Sequence, residues 1–258
     1  MKAKAAEKSP NSNVRSIAFP SRHSDHSGKA LSQVLRSSSL SCSTVMACES
    51  PPACRWRGFC LSPSPMQARL VAKDIACRRG ERLLFRRLSF ACEAGEAIHV
   101  VGANGVGKSS LIRILAGLLR PFAGAVERTG AAGLVDERLA LDTNLALGQA
   151  LAFWERIDGC RDPGRALELL QLEPLMDVPV RYLSTGQKKR AALARLLNRD
   201  CPIWLLDEPL NGLDSQAQTA FETLIARHCA AGGVAIAASH QPIALPAPAI
   251  IDLAEYAA

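Results

Sequence analysis

Between residues 68 and 253 the chain alternates short apolar runs with longer stretches of helical period. Residues 68–72 and 88–92 have strand character, with a turn at Arg79-Gly80-Glu81 between them. A second turn, Ala94-Gly95-Glu96, leads into Ala97-Ile98-His99-Val100-Val101, a short run of buried-strand type. Residues 111–116 have helical spacing, and Pro121 ends that helix. A short strand pair is expected around residues 124–127 and 133–136. Residues 141–182 look helical. Leu145, Leu147, Ala150, Leu151 and Trp154 give one apolar face, and Ala166, Leu167, Leu169 and Leu170 give another, before Pro174 and Pro179 break the run. A helix is expected from about 183 through Leu197, a buried strand over 203–207 and a helix from Gln216 to about His228. Strands over 234–238 and 250–253 close the pattern. Strands alternating with helices predict an α/β core with a mostly parallel sheet, and residues 141–182 inserted as a small helical subdomain.

Residues 1–65 are different. They are rich in Ser, Pro and basic residues and poor in periodic apolar positions, so they cannot bury enough surface to fold alone. Two readings stay open: a targeting-like leader, or an upstream extension with Met66 as the working start. Periodic sequence beginning directly after Met66 favours the second. The segment also accounts for most of the chain's net charge of +7, with nine Lys/Arg against three Asp/Glu. Residues 66–258 carry 22 and 21, so a basic partner-binding surface on the folded part has little support. No run of about 18 apolar residues exists to span a membrane. Nine cysteines occur without any C-x-x-C pair. Cys42, Cys48, Cys54 and Cys60 recur every six residues, outside the usual zinc spacings and without a histidine. Cys77, Cys92, Cys160, Cys201 and Cys229 mostly sit in apolar surroundings and are expected as packed thiols.

The chemistry enters at residues 102–110, Gly102-Ala103-Asn104-Gly105-Val106-Gly107-Lys108-Ser109-Ser110. They fit G-x-x-x-x-G-K-[ST] between an apolar strand and a helix, the setting a phosphate-binding loop needs. Its glycines let backbone N–H groups curl around phosphates, and the helix N-terminus adds its positive end. Lys108 supplies a charge for the β- and γ-phosphates and Ser109 a hydroxyl for Mg²⁺. Asp207-Glu208 ends a buried strand; beside a phosphate loop, Asp207 is expected to hold Mg²⁺ through water and Glu208 to polarise the attacking water, the other reading being an ordinary acidic turn before Pro209. Leu183-Ser184-Thr185-Gly186-Gln187 has two readings. Ser184 and Gln187 form an S-x-x-Q capping box that would merely start a helix. Gly186, the free hydroxyls and the helix N-terminus also make an anion site.

Taken together, the phosphate loop, LSTGQ, the strand ending at Asp207-Glu208, Asn211-Gly212-Leu213-Asp214 and His240 resemble the motif order of ABC-type ATPases, over about residues 67–253. The resemblance implies a P-loop fold with a mostly parallel sheet, an N-terminal antiparallel part and an inserted helical subdomain at about 139–195 within a 66–258 domain. It implies ATP and Mg²⁺ as ligands, and a head-to-tail homodimer in which Ser184, Thr185, Gly186 and Gln187 close on nucleotide held by the other copy. Asp214 then lies at the subunit boundary and His240 contacts the γ-phosphate. The sequence departs from the family twice. Where a Gln usually links Mg²⁺ to the membrane partner, Glu137 is the nearest residue. Where an aromatic side chain usually stacks on adenine, the chain has Arg78, whose guanidinium plane can also stack.

Residues 77–85 with Leu88-Ser89-Phe90, residues 113–118, Trp204 and Ser239-His240-Gln241-Pro242 look like the haem-exporter type ATP-binding subunit of cytochrome c maturation. That resemblance implies an ATP-hydrolysing subunit, peripheral on the cytoplasmic face of the inner membrane and held by integral transporter subunits. No direct contact with nucleic acid or haem is expected. A soluble ABC-type ATPase acting on nucleic acid or ribosomes is the alternative, against which a single, nearly neutral unit argues. An ATPase subunit of another ABC exporter is a further one. A non-hydrolysing interaction subunit would rest only on Glu137 and Arg78.

Overall fold

The computed structural model describes residues 68–138, 140–159 and 163–257. The 1–65 segment, Met66, the Cys42–Cys60 spacing and Cys160 lie outside the described residues.

Two strands, β1 (Arg69–Arg79) and β2 (Arg82–Cys92), form an antiparallel hairpin around Gly80. Both extend past the apolar runs that announce them. Next come β3 (Ala97–Val101), α1 (Lys108–Ala116), β4 (Ala123–Thr129) and β5 (Ala132–Val135). The helical region holds α2 (Leu147–Asp158) and α3 (Pro163–Leu169), followed by two 3₁₀ turns at Glu173–Leu175 and Val180–Tyr182. Then come α4 (Thr185–Asn198), β6 (Ile203–Asp207), α5 (Ser215–Ala230), β7 (Val234–Ala238), β8 (Ala249–Asp252) and a third 3₁₀ turn at Leu253–Tyr256.

The expected pairing of residues 124–127 with 133–136 does not form. β4 joins the antiparallel sheet, in the order β2-β1-β4, and β5 joins the parallel one, in the order β5-β6-β7-β3-β8. Local pattern marks both as strands but carries no information about their distant partners. β6 and β7 are buried at every position, as a sheet covered on both faces requires. The core runs from this sheet into the helical region, where Leu147, Leu151, Leu170 and Leu172 pack with Leu193 and Leu196 of α4. Each such side chain contributes about 1.5–3 kcal/mol by leaving water.

The parallel order matters for function. The C-terminal ends of four strands open on one edge, the place where open α/β sheets bind ligands. From β3 the chain enters the phosphate loop; β5 leads to Asp136-Glu137, β6 ends at Asp207-Glu208, and β7 leads to Ser239-His240.

Cys77, Cys92, Cys201 and Cys229 are buried free thiols, as expected. Burial pushes the Cys229 thiol up to about 11, and raises that of Cys92 further. Trp204 stacks on His228, with ring centroids 4.0 Å apart and planes 10° from parallel. Burial holds the His228 imidazole below its ordinary value, more than the backbone groups of Val234 and Pro202 restore it. The unfolded chain, whose histidines titrate near 6.5, therefore takes up a proton that the folded chain refuses. Stability is full above that pH and falls as pH drops through it. Melting temperature should decline from about pH 7 to pH 5, and His228→Phe, which keeps a stacked ring, should flatten that decline. Parallel melting curves for the two proteins would remove His228 from this account.

Candidate functional site

The phosphate loop owes its shape to close packing. Gly107 caps α1 with φ at 118°, a left-handed conformation that favours glycine. A Cβ there would lie 3.1 Å from the Phe85 ring and 3.3 Å from Leu84 Cβ. The β hairpin thus presses directly on the loop. Lys108, the first residue of α1, is only 6% exposed. Its Nζ donates to the Gly102 carbonyl at 2.8 Å and the Ala103 carbonyl at 3.3 Å. It also stands 3.8 Å from Glu208 Oε1.

Ser109 Oγ donates to Asp207 Oδ1 at 3.0 Å, tying the helix start to the end of β6 across 98 residues. Burial pushes the Asp207 carboxyl above its ordinary range, and the Ser109 hydrogen bond opposes that. Glu208 follows with φ at 46°, an uncommon conformation for a non-glycine residue. Its backbone N–H donates to the Ala238 carbonyl at 2.8 Å. Its Oε2 lies 2.9 Å from His240 Nδ1, a short contact between the ends of β6 and β7.

A cleft of about 450 Å³ lies over these groups, lined by Asn104, Gly105, Gly107, Lys108, Ser109, Ser110, Glu137, Glu208, Asn211 and His240. Leu84 and Arg79 complete its lining. Glu137, Glu208 and His240 therefore share one cavity with the loop. Gly102, Ala103 and Val106 shape the loop from outside that lining. Arg78 does not line the cleft; its guanidinium lies over the Phe122 ring, 4.7 Å from the centroid. Arg79, its neighbour in β1, lines the cleft instead. The β1–β2 register is irregular between Cys77 and Arg78, a feature that the local sequence pattern does not reveal.

Ser109, Asp207, Glu137 and Glu208 offer hard oxygen atoms, the donor chemistry Mg²⁺ takes. The Ser109–Asp207 contact brings two of these donors together, so the residues fit that ion.

Residues 184–187 lie outside the cleft lining. The capping box forms: Gln187 N–H donates to Ser184 Oγ at 3.2 Å and Ser184 N–H donates to Gln187 Oε1 at 2.8 Å. Ser184 and Thr185 are nevertheless exposed at the N-terminus of α4. Both readings of the stretch are thus compatible. Gly186 packs so closely on the Gly212 carbonyl that a Cβ would collide with it. The LSTGQ segment and the Asn211–Asp214 loop therefore form one continuous surface, with Asp214 capping α5 through Ala217 N–H at 2.8 Å.

Comparison with known proteins agrees with this geometry. The family model described as "ABC transporter" matches residues 85–211. The chain is 63% identical over 176 residues to the cytochrome c biogenesis ATP-binding export protein CcmA of Novosphingobium aromaticivorans, covering 68% of this chain and 91% of that one. It is 49% identical over 190 residues to the protein of the same name from Zymomonas mobilis, covering 73% and 82%. Among solved structures, a Pyrococcus furiosus protein described as an ABC transporter ATP-binding protein superimposes with a TM-score of 0.64 at 20% identity, over 74% of this chain and 100% of that one. That likeness speaks for the fold. The chain belongs to the ABC transporter ATP-binding proteins and, within them, to the cytochrome c biogenesis ATP-binding export family.

Proposed function

We propose that the chain binds and hydrolyses ATP as the ATP-binding subunit of a cytochrome c biogenesis export system, coupling turnover to haem export. The observation that carries this is the meeting of Lys108, Ser109, Glu137, Glu208 and His240 in one cleft at the C-terminal edge of the sheet. The backbone N–H groups of residues 102–110 and the α1 N-terminus receive the phosphates. Lys108 exchanges its carbonyl partners for the β- and γ-phosphate oxygens. Ser109, Asp207 and Glu137 would hold Mg²⁺, which would supply positive charge beside those oxygens. Glu208 takes a proton from water as its oxygen bonds to the γ-phosphorus, and the bond to the bridging oxygen breaks to release ADP. His240 orients Glu208 and meets the γ-phosphate. Arg79, at the rim beside Leu84, is the side chain we assign to the base in place of Arg78.

The exposed N-terminus of α4 supports a head-to-tail homodimer. Residues 184–187 of one copy close on nucleotide held by the other, with Asp214 at the boundary. Closure on ATP and reopening after hydrolysis move the integral partner subunits. The chain acts peripherally, at the cytoplasmic face of the inner membrane; among the described residues no helix is long and apolar enough to cross it. Neither nucleic acid nor haem is expected as a direct ligand.

The experiment is a pull-down from membranes with Glu208→Gln protein and ATP. Recovery of haem-handling integral subunits supports the proposal, and recovery of ribosomes or DNA instead would overturn it.

A further inference from the structure

Lys189 has no part in the chemistry above, yet it is buried beside it. It sits in the second turn of α4 and is 8% exposed. Lys189, Leu193 and Leu196 form one buried stripe of that helix, a place where an aliphatic residue would pack without the desolvation penalty of an ammonium. Its Nζ donates to the Asp207 carbonyl at 3.4 Å. That carbonyl belongs to the last residue of β6, whose carboxylate holds Ser109.

Four carboxylates surround this end of the sheet. Arg113 meets Asp136 at 3.5 Å and Lys108 meets Glu208 at 3.8 Å. The four carboxylates are Asp207, Glu137, Asp136 and Glu208. Burial draws the Lys189 ammonium below the ordinary lysine value, and these four carboxylates oppose that. Lys189 on α4 thus bonds to the last residue of β6, one position before Glu208, which lines the cleft.

We infer that Lys189 is a positioning residue for hydrolysis: its buried ammonium ties the helix bearing LSTGQ to the end of β6 and balances the carboxylate that Glu137 adds to the cleft. Asp207 and Glu208 then keep their places when nucleotide arrives. The inference rests on the ATPase reading above. A parental chain without ATPase activity would fail that reading, whereas the variants below address Lys189 alone.

The test compares kcat and KM for Lys189→Gln, Lys189→Arg and Lys189→Gln/Glu137→Gln. Glutamine keeps a donor for the Asp207 carbonyl and loses the charge; arginine keeps both. Lys189→Gln should lower kcat about tenfold with KM within about threefold, the pattern of an interaction expressed in the transition state. Lys189→Arg should stay within about threefold of the parent. Adding Glu137→Gln to Lys189→Gln should raise kcat several-fold, because contacting charges are not additive. Parental kcat in Lys189→Gln, or a double variant no faster than the single one, overturns the inference. If Lys189→Gln does not fold, Lys189→Met and Lys189→Met/Glu137→Gln are compared by thermal melting. Charge balance requires the double variant to melt higher, and an equal or lower melting point overturns it.

Discussion

Glu208→Gln lowers ATP turnover by about three orders of magnitude or more while nucleotide binding persists, the scale on which a lost general base acts. The substitution keeps the shape of a side chain held on one side by His240 Nδ1 at 2.9 Å and facing Lys108 Nζ at 3.8 Å. It removes the negative charge that faces Lys108 and with it the capacity to take a proton. The unusual φ of 46° at Glu208 is set by its N–H bond to the Ala238 carbonyl, which glutamine retains. A steady-state phosphate-release assay beside an equilibrium ATP titration reads both halves of the prediction. A variant that turns over ATP at the parental rate would take Glu208 out of its role.

Lys108→Ala has the second large effect, and on binding. Lys108 is buried, with its ammonium resting on the Gly102 and Ala103 carbonyls. Without it, the phosphate chain loses its only lysine in the cleft lining, and Glu208 loses the cation facing it. Truncating one partner of a buried charge pair costs about 2–5 kcal/mol, so ATP affinity should fall by about thirtyfold or more. Circular dichroism separates this from unfolding. Unchanged ATP affinity in a folded Lys108→Ala chain would refute the phosphate-loop assignment.

How much of this was legible depends on how far each feature reaches along the chain. The phosphate loop and LSTGQ are contiguous, and each carries its chemistry in five to nine residues. The alternation of strands and helices likewise predicts the α/β class, because period is a local property. The partition of β4 and β5 between two sheets was not legible, since pairing is decided by distant strands. The Glu208–His240 contact spans 32 residues and follows from the adjacency of β6 and β7, which only the sheet order supplies. Arg78 lies over Phe122 and Arg79 lines the cleft, after an irregularity in the β1–β2 register that local pattern does not show. Lys189 did leave a signal, a charge on the buried stripe it shares with Leu193 and Leu196, but the adjoining LSTGQ motif drew all the meaning of that helix.

The central claim is that the cleft is half of a site, completed by residues 184–187 of a second copy. Light scattering on the Glu208→Gln chain with and without Mg²⁺-ATP tests it most directly. ATP should double the mass from that of one 27.6 kDa chain, and adding Ser184→Arg should abolish the doubling while ATP still binds. A Glu208→Gln chain that binds ATP and keeps the mass of a single copy would contradict it.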